Sequence, residues 1–138
     1  MTALTRILFR HPAAMPESPA QVIDWWESRR PIFNLVIGGV GVMTLGIMNV
    51  MFAMPPLADP MPWQFTVFGA VLYGTAANMC YSFGWMAELF LRRYISHDTG
   101  PVGAALFRYG FAFSIGLTLV PAGVATLAWL ARVAAAVA

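Results

Sequence analysis

WQFTVFGAVLYGTAANMCYSFGWMAELFLRR, residues Trp63 to Arg93, is the stretch whose reading decides the fold. It is apolar over about 29 residues, and a helix of that length extends roughly 43 Å, more than the roughly 30 Å of a bilayer's hydrocarbon core. Steps of three and four residues put Ala70, Gly74, Asn78, Tyr81, Trp85, Glu88 and Arg92 on one face. The opposite face carries Phe65, Phe68, Leu72, Met79, Phe83, Met86 and Phe90. Small and polar groups on one side and bulky apolar groups on the other are the sidedness of a helix that turns the first to protein and the second to lipid.

The composition of the whole chain agrees with that stretch. It has 138 residues, 59% of them hydrophobic and 10% charged, and a mean hydropathy of +0.69. These values exclude an ordinary soluble domain and leave a single membrane domain over residues 1–138. All eight basic residues are Arg, a codon bias that points to a GC-rich bacterial genome. They lie beside the apolar segments instead of forming a soluble basic face, so nucleic acid is not an expected partner. The single cysteine, Cys80, excludes an internal disulfide and any multi-cysteine metal site, and reads as a small apolar residue inside a span.

N-terminal to the deciding stretch, residues 1–16 lack an apolar run long enough for a signal peptide. Ser18, Pro19 and Gln21 then form the S-x-x-Q start of a helix, with Pro at its first position. The spacing predicts an amphipathic helix over about 19–30, too short and too charged to span. Trp25, Trp26, Arg29 and Arg30 on it read as an interfacial anchor at the headgroup level, in preference to a docking face for a partner. Pro31 opens a first span over about 32–54, where Asn34, Gly38, Gly41, Leu45 and Asn49 share a face. The proline-rich 55–62 segment breaks the chain before the second span, about 63–91.

Beyond the second span, Arg92, Arg93, His97 and Asp98 lead through a turn at Thr99, Gly100 and Pro101 into a third span, about 102–133. Ala105, Arg108, Ala112, Gly116, Leu119 and Gly123 line one side of it, and Gly110, Ser114 and Thr118 a second. Two small-residue faces predict contact with protein on both sides, and Pro121 predicts a kink. The expected fold class is therefore an all-α membrane protein with three transmembrane helices after a short amphipathic interfacial helix. Arginines precede span one and separate spans two and three, while the 55–62 loop holds only Asp59. That distribution predicts a bacterial inner-membrane location with the N-terminus cytoplasmic and the C-terminus periplasmic.

WWESRRPIFN before span one and AANMCYSFGWMAEL in span two resemble two elements of a group of small, uncharacterised bacterial inner-membrane proteins. The first is W-E-x-R-R followed by an aromatic–Asn pair, matched here by Trp26, Glu27, Arg29, Arg30, Phe33 and Asn34. The second is A-N-x-x-Y-x-x-G-W-x-x-E-L, matched by Ala77, Asn78, Tyr81, Gly84, Trp85, Glu88 and Leu89. Tyr is usual in the group where this chain has Phe33, so a polar role for that position does not carry over. The resemblance covers the membrane part and implies no activity.

Chemistry has to be sought in the residues themselves. No Ser/His/Asp set, phosphate-cradling glycine loop, HExxH or CxxC is present. His11 and His97 both lie outside the spans, which excludes paired His ligation of an intramembrane haem and leaves no cofactor expected. One polar cluster remains: Asn34, Glu88, Arg92 and Arg108 all fall at the cytoplasmic ends of spans. They read as an interhelical polar seam, because a carboxylate at that depth needs a partner. Asn78 and Tyr81 read as a separate mid-membrane polar pair, and Gly38, Gly41, Gly74, Gly116 and Gly123 as helix-packing positions.

These features favour a small accessory or structural subunit. Its partners are membrane lipids and either the subunits of a membrane complex or further copies of itself, met through small-residue faces. A small oligomeric transporter or channel component, with Glu88 in an ion or proton step, is the alternative. An enzyme ranks below both, for want of a nucleophile–base pair.

Overall fold

The computed structural model describes residues 18–95 and 102–137, and every regular element in them is helical. His11, His97, Asp98, the turn at 99–101 and the arginines of the first 17 residues lie outside the described residues. The helices are α1 (Pro19–Glu27), α2 (Arg30–Ala53), α3 (Trp63–Tyr94) and α4 (Val102–Val137).

Helix α1 starts on a reciprocal capping box. The Gln21 amide donates to the Ser18 hydroxyl at 3.4 Å, and the Ser18 amide donates back to Gln21 Oε1 at 3.3 Å. It ends where it must. Pro31 has no N–H to return to the Glu27 carbonyl, so the helical bonding cannot run on unbroken. The chain tightens instead, with the Arg29 amide on the Trp26 carbonyl at 3.0 Å, and α2 restarts as the Phe33 amide bonds the Arg29 carbonyl at 3.0 Å. The 54–62 connection carries Ala58 with φ 49°, a left-handed residue that helps turn the chain after α2. Helix α4 continues through Pro121.

Two stretches are long and apolar enough to cross a membrane: Pro19–Ala53, with a mean hydropathy of 2.0, and Val102–Val137, at 1.8. Only 11% and 17% of their apolar windows are buried within the chain. Helix α3, at 32 residues, has the length, but Tyr73, Asn78, Tyr81, Trp85, Glu88 and Arg92 lower its hydropathy. Its outer face is Phe65, Phe68, Leu72, Met79, Phe83, Met86 and Phe90, all exposed.

Tertiary contacts fall into two units. Unit 1 comprises described residues within 1–34 and 77–113; unit 2 comprises 35–76 and those within 114–138. Unit 1 is packed around aromatic rings: Val22 and Trp26 of α1, Phe33 of α2, Ala77 and Tyr81 of α3, and Ala104 and Phe107 of α4 are buried. Phe33 and Tyr81 lie 4.6 Å apart, and Phe107 stacks on Phe111 at 5.7 Å. Unit 2 buries smaller side chains, namely Ile37, Thr44, Thr118, Ala122 and Ala125.

Candidate functional site

Among the described residues, the Glu88 carboxylate is a buried polar group held from several sides. Glu88 is 3% exposed, although it is charged and sits on α3 between apolar neighbours. Three elements meet at it. From α3 itself, one turn on, Arg92 donates to Oε1 through Nη2 at 2.7 Å and Nε at 3.0 Å, a forked ion pair. From α1, Trp26 Nε1 donates to Oε2 at 2.7 Å. From α4, Gly103 lets the backbone come up to the carboxyl group. A Cβ on Gly103 would fall under 3.0 Å from both oxygens and the carbon between them. Both carboxylate oxygens are thus taken, and the group is shielded on its remaining side by main chain.

Trp26 is gripped at more than its indole N–H. Its carbonyl accepts a hydrogen bond from the Tyr81 hydroxyl. Its ring lies edge-on to Tyr81 at 5.4 Å and to Phe107 at 5.8 Å, and rests on Gly84, where a Cβ would come within 2.6 Å of it. Arg30 extends the same cluster. It forks onto Glu27 with two bonds of 2.7 Å, reaches Asn78 Oδ1 at 3.3 Å and the Ser82 hydroxyl at 3.0 Å, and lies 4.9 Å from the Tyr81 ring centroid. The two segments WWESRR and ANMCYSFGWMAEL, some fifty residues apart, therefore interlock residue by residue in unit 1.

No protein-family model, characterised protein or solved structure matches the chain. The site has to be judged on its geometry. Among the described residues no three His, Cys, Asp or Glu side chains converge as metal ligands. Cys80 is exposed on α3. No nucleophile and base stand together at Glu88; what the arrangement does is tie α1 to α3 and α4 through a neutralised, fully bonded carboxylate.

Several positions differ from the sequence expectation. Trp26 is not an interfacial anchor facing headgroups: the phase of α1 turns it and Val22 inward, and its polar N–H finds the carboxylate there. Trp25 is half-buried, edge-on to Trp26 at 5.7 Å and to Phe107 at 6.0 Å, and Arg29 lies over its ring at 3.9 Å. Asn34 is exposed, because α2 directs Phe33 and Ile37 inward and Asn34 lies about 100° round the helix from Phe33. The donors to Glu88 are Arg92 and Trp26, and Arg108 is exposed. Asn78 and Tyr81 are not a pair apart; Arg30 and Trp26 draw them into the same cluster.

The glycines divide differently too. Among the described residues, no atom beyond the local helix backbone lies within 4 Å of the position a Cβ would take at Gly38, Gly74, Gly116 or Gly123, and at Gly41 only Thr118 does, at 4.0 Å. The close approaches are at Gly84 and Gly103. Gly84 stands within the resembling element and Gly103 at the start of α4, but nothing in the spacing singles either out from the twelve glycines of the chain.

Unit 2 holds a hydroxyl network that the sequence reading did not find. Thr44 donates to the Thr118 carbonyl at 2.9 Å, Thr118 donates to the Ser114 carbonyl at 2.6 Å, and the Tyr73 hydroxyl bonds Thr118. Its sequence signals are the Ser114–Thr118 face of span three and Thr44 and Tyr73, which interrupt otherwise apolar helix faces. A hydroxyl bonded back to a helix carbonyl is the usual way for a Thr to sit in an apolar setting, and the network cross-links α2, α3 and α4.

Proposed function

We propose that the chain is a small integral membrane subunit, structural in role, that assembles with a larger membrane complex or with further copies of itself. The observation that carries this reading is the exposure of its apolar helices. A core helix of a soluble protein is mostly buried, yet the two apolar windows here are 11% and 17% buried. Such surfaces need lipid or protein to cover them. Counting α3 as a third crossing, with its exposed Phe and Met face to lipid, places the N-terminus in the cytoplasm and Asp59 outside by the arginine distribution. The open space beyond Gly38, Gly116 and Gly123 leaves room for a neighbouring helix to come close. The resemblance to small bacterial inner-membrane proteins is consistent with this reading, and a bacterial inner membrane is the proposed location.

An ion or proton step at Glu88 is disfavoured by the carboxylate's own bonds, since both oxygens are occupied by donors of the chain. Two experiments test the assignment. Native mass determination in mild detergent is expected to find the chain in a complex or a defined oligomer, and a monomer throughout refutes the assembly. Glu88→Gln keeps an acceptor for Trp26 but ends the ion pair with Arg92. It is expected to weaken folding and assembly together, and a variant as stable and as well assembled as wild type overturns the structural role.

A further inference from the structure

Positive charge is unevenly matched in unit 1. Among its described residues Asp24, Glu27 and Glu88 stand against Arg29, Arg30, Arg92, Arg93 and Arg108, a net charge of +2, whereas Asp59 and Arg132 cancel in unit 2. Arg30 holds Glu27 and Arg92 holds Glu88. Among the described residues Arg29 holds no carboxylate. The nearest acids along the chain are committed or turned away: both oxygens of Glu27 are taken by Arg30, and Asp24 is exposed.

Arg29 is nevertheless held in one orientation. Its guanidinium carbon lies 3.9 Å from the Trp25 ring centroid, and Nη1 donates to the Trp25 carbonyl at 2.8 Å and to the Ser28 hydroxyl at 3.2 Å. All of these contacts are to neutral groups. Arg29 Nε and Trp25 Nε1 are buried and donate to nothing. Nη1 is spent on those two acceptors and Nε has no surface, so Nη2 is the donor that this half-buried, preoriented guanidinium presents to an external oxyanion.

The position of the residue says which oxyanion. Arg29 occupies the two-residue turn between the polar α1 and the apolar α2, with exposed Pro31 and half-buried Ile32 following directly. On the membrane reading, on which this inference rests, that turn stands at the level of lipid phosphates, with apolar surface beside it for an acyl chain. We propose that Arg29, braced on Trp25, binds the phosphodiester of an anionic phospholipid at the α1–α2 turn.

The test is native mass spectrometry of the full chain in mild detergent, titrated with phosphatidylglycerol, phosphatidylcholine or inorganic phosphate. Wild type is expected to retain phosphatidylglycerol in preference to phosphatidylcholine. Arg29→Gln is expected to lower that retention about tenfold, the order of one charge-assisted contact, while Arg132→Gln at the other end of the chain leaves it unchanged. Arg29→Lys, which keeps the charge and loses the planar guanidinium held over Trp25, is expected to weaken retention several-fold, and it carries the test if Arg29→Gln does not fold. Equal retention of the two lipids, or no effect of either Arg29 substitution, overturns the proposal. Displacement of the lipid by millimolar inorganic phosphate overturns it in favour of a small-anion site. A chain that stays soluble without detergent refutes the membrane reading itself; one that needs detergent but ignores Arg29 refutes only this inference.

Discussion

Trp26→Phe removes the indole N–H together with the outer edge of the ring, and a double-mutant cycle with Glu88 isolates the bond that ties α1 to α3. The phenyl ring keeps its place against Tyr81 and Phe107 but no longer reaches Gly84, which the far edge of the indole covers, and Glu88 Oε2 loses its donor at 2.7 Å. A hydrogen bond to a charged group contributes about 1.5–3 kcal/mol, and the upper part of that range applies where the carboxylate cannot turn to water. Glu88 is 3% exposed and walled by Gly103, so it cannot. Adding about 1 kcal/mol for the lost part of the indole gives an expected destabilisation of about 3.5–4 kcal/mol. Reversible unfolding in mixed detergent, followed by far-ultraviolet circular dichroism, reads it. In a Glu88→Leu background the same substitution removes only ring contacts and is expected to cost about 1 kcal/mol, so the coupling energy is about 2.5–3 kcal/mol. Trp85→Phe is the control, because the Trp85 indole N–H is buried and donates to nothing. It is expected to cost less than about 1 kcal/mol. Equal costs of Trp26→Phe in the two backgrounds, within about 0.5 kcal/mol, would refute the argument.

Four other substitutions have expected outcomes, three from the packing of the helices and one from the arginine distribution. Gly103→Ala drives a methyl group into the Glu88 carboxylate and is expected to lower stability by about 1–3 kcal/mol. Gly38→Ala meets open space and is expected to raise helix stability by about 0.5–1 kcal/mol, so similar effects of the two in the same unfolding assay would contradict the placement of α4. Gly74→Leu, whose Cβ meets no described residue of another helix within 4 Å, is expected to leave the fold intact yet reduce the assembled fraction on native gels more than Phe68→Leu on the outer face; equal loss in both counts against assembly through the glycine face. Asp59→Cys in a Cys80→Ser background is expected to react with a membrane-impermeant maleimide in intact cells, and reaction only after permeabilisation reverses the orientation.

Short-range features of the fold were legible in the sequence because their causes are local. The Ser18–Gln21 box, the break before Pro31 and the proline-rich 55–62 turn each depend on groups a few residues apart, and the helices begin and end close to where those signals stand. The Glu88–Arg92 ion pair belongs to the same kind, four residues apart on one helix. The outward Phe and Met face of α3 followed from the 3.6-residue period alone.

Which residue meets which across helices was another matter. Trp26 and Glu88 are 62 residues apart, and their bond depends on the rotational phase of α1 against α3, a quantity that hydrophobic periodicity leaves free to within a residue or so. That freedom turned Asn34 outward beside an inward Phe33, and merged Asn78 and Tyr81 with the Arg30–Trp26 cluster. It also selected Gly84 and Gly103 as the close approaches over better-spaced glycines. A helix's own face is set by its residues. The contact it makes is set by the partner's face as well, and the tertiary structure alone brings the two into register.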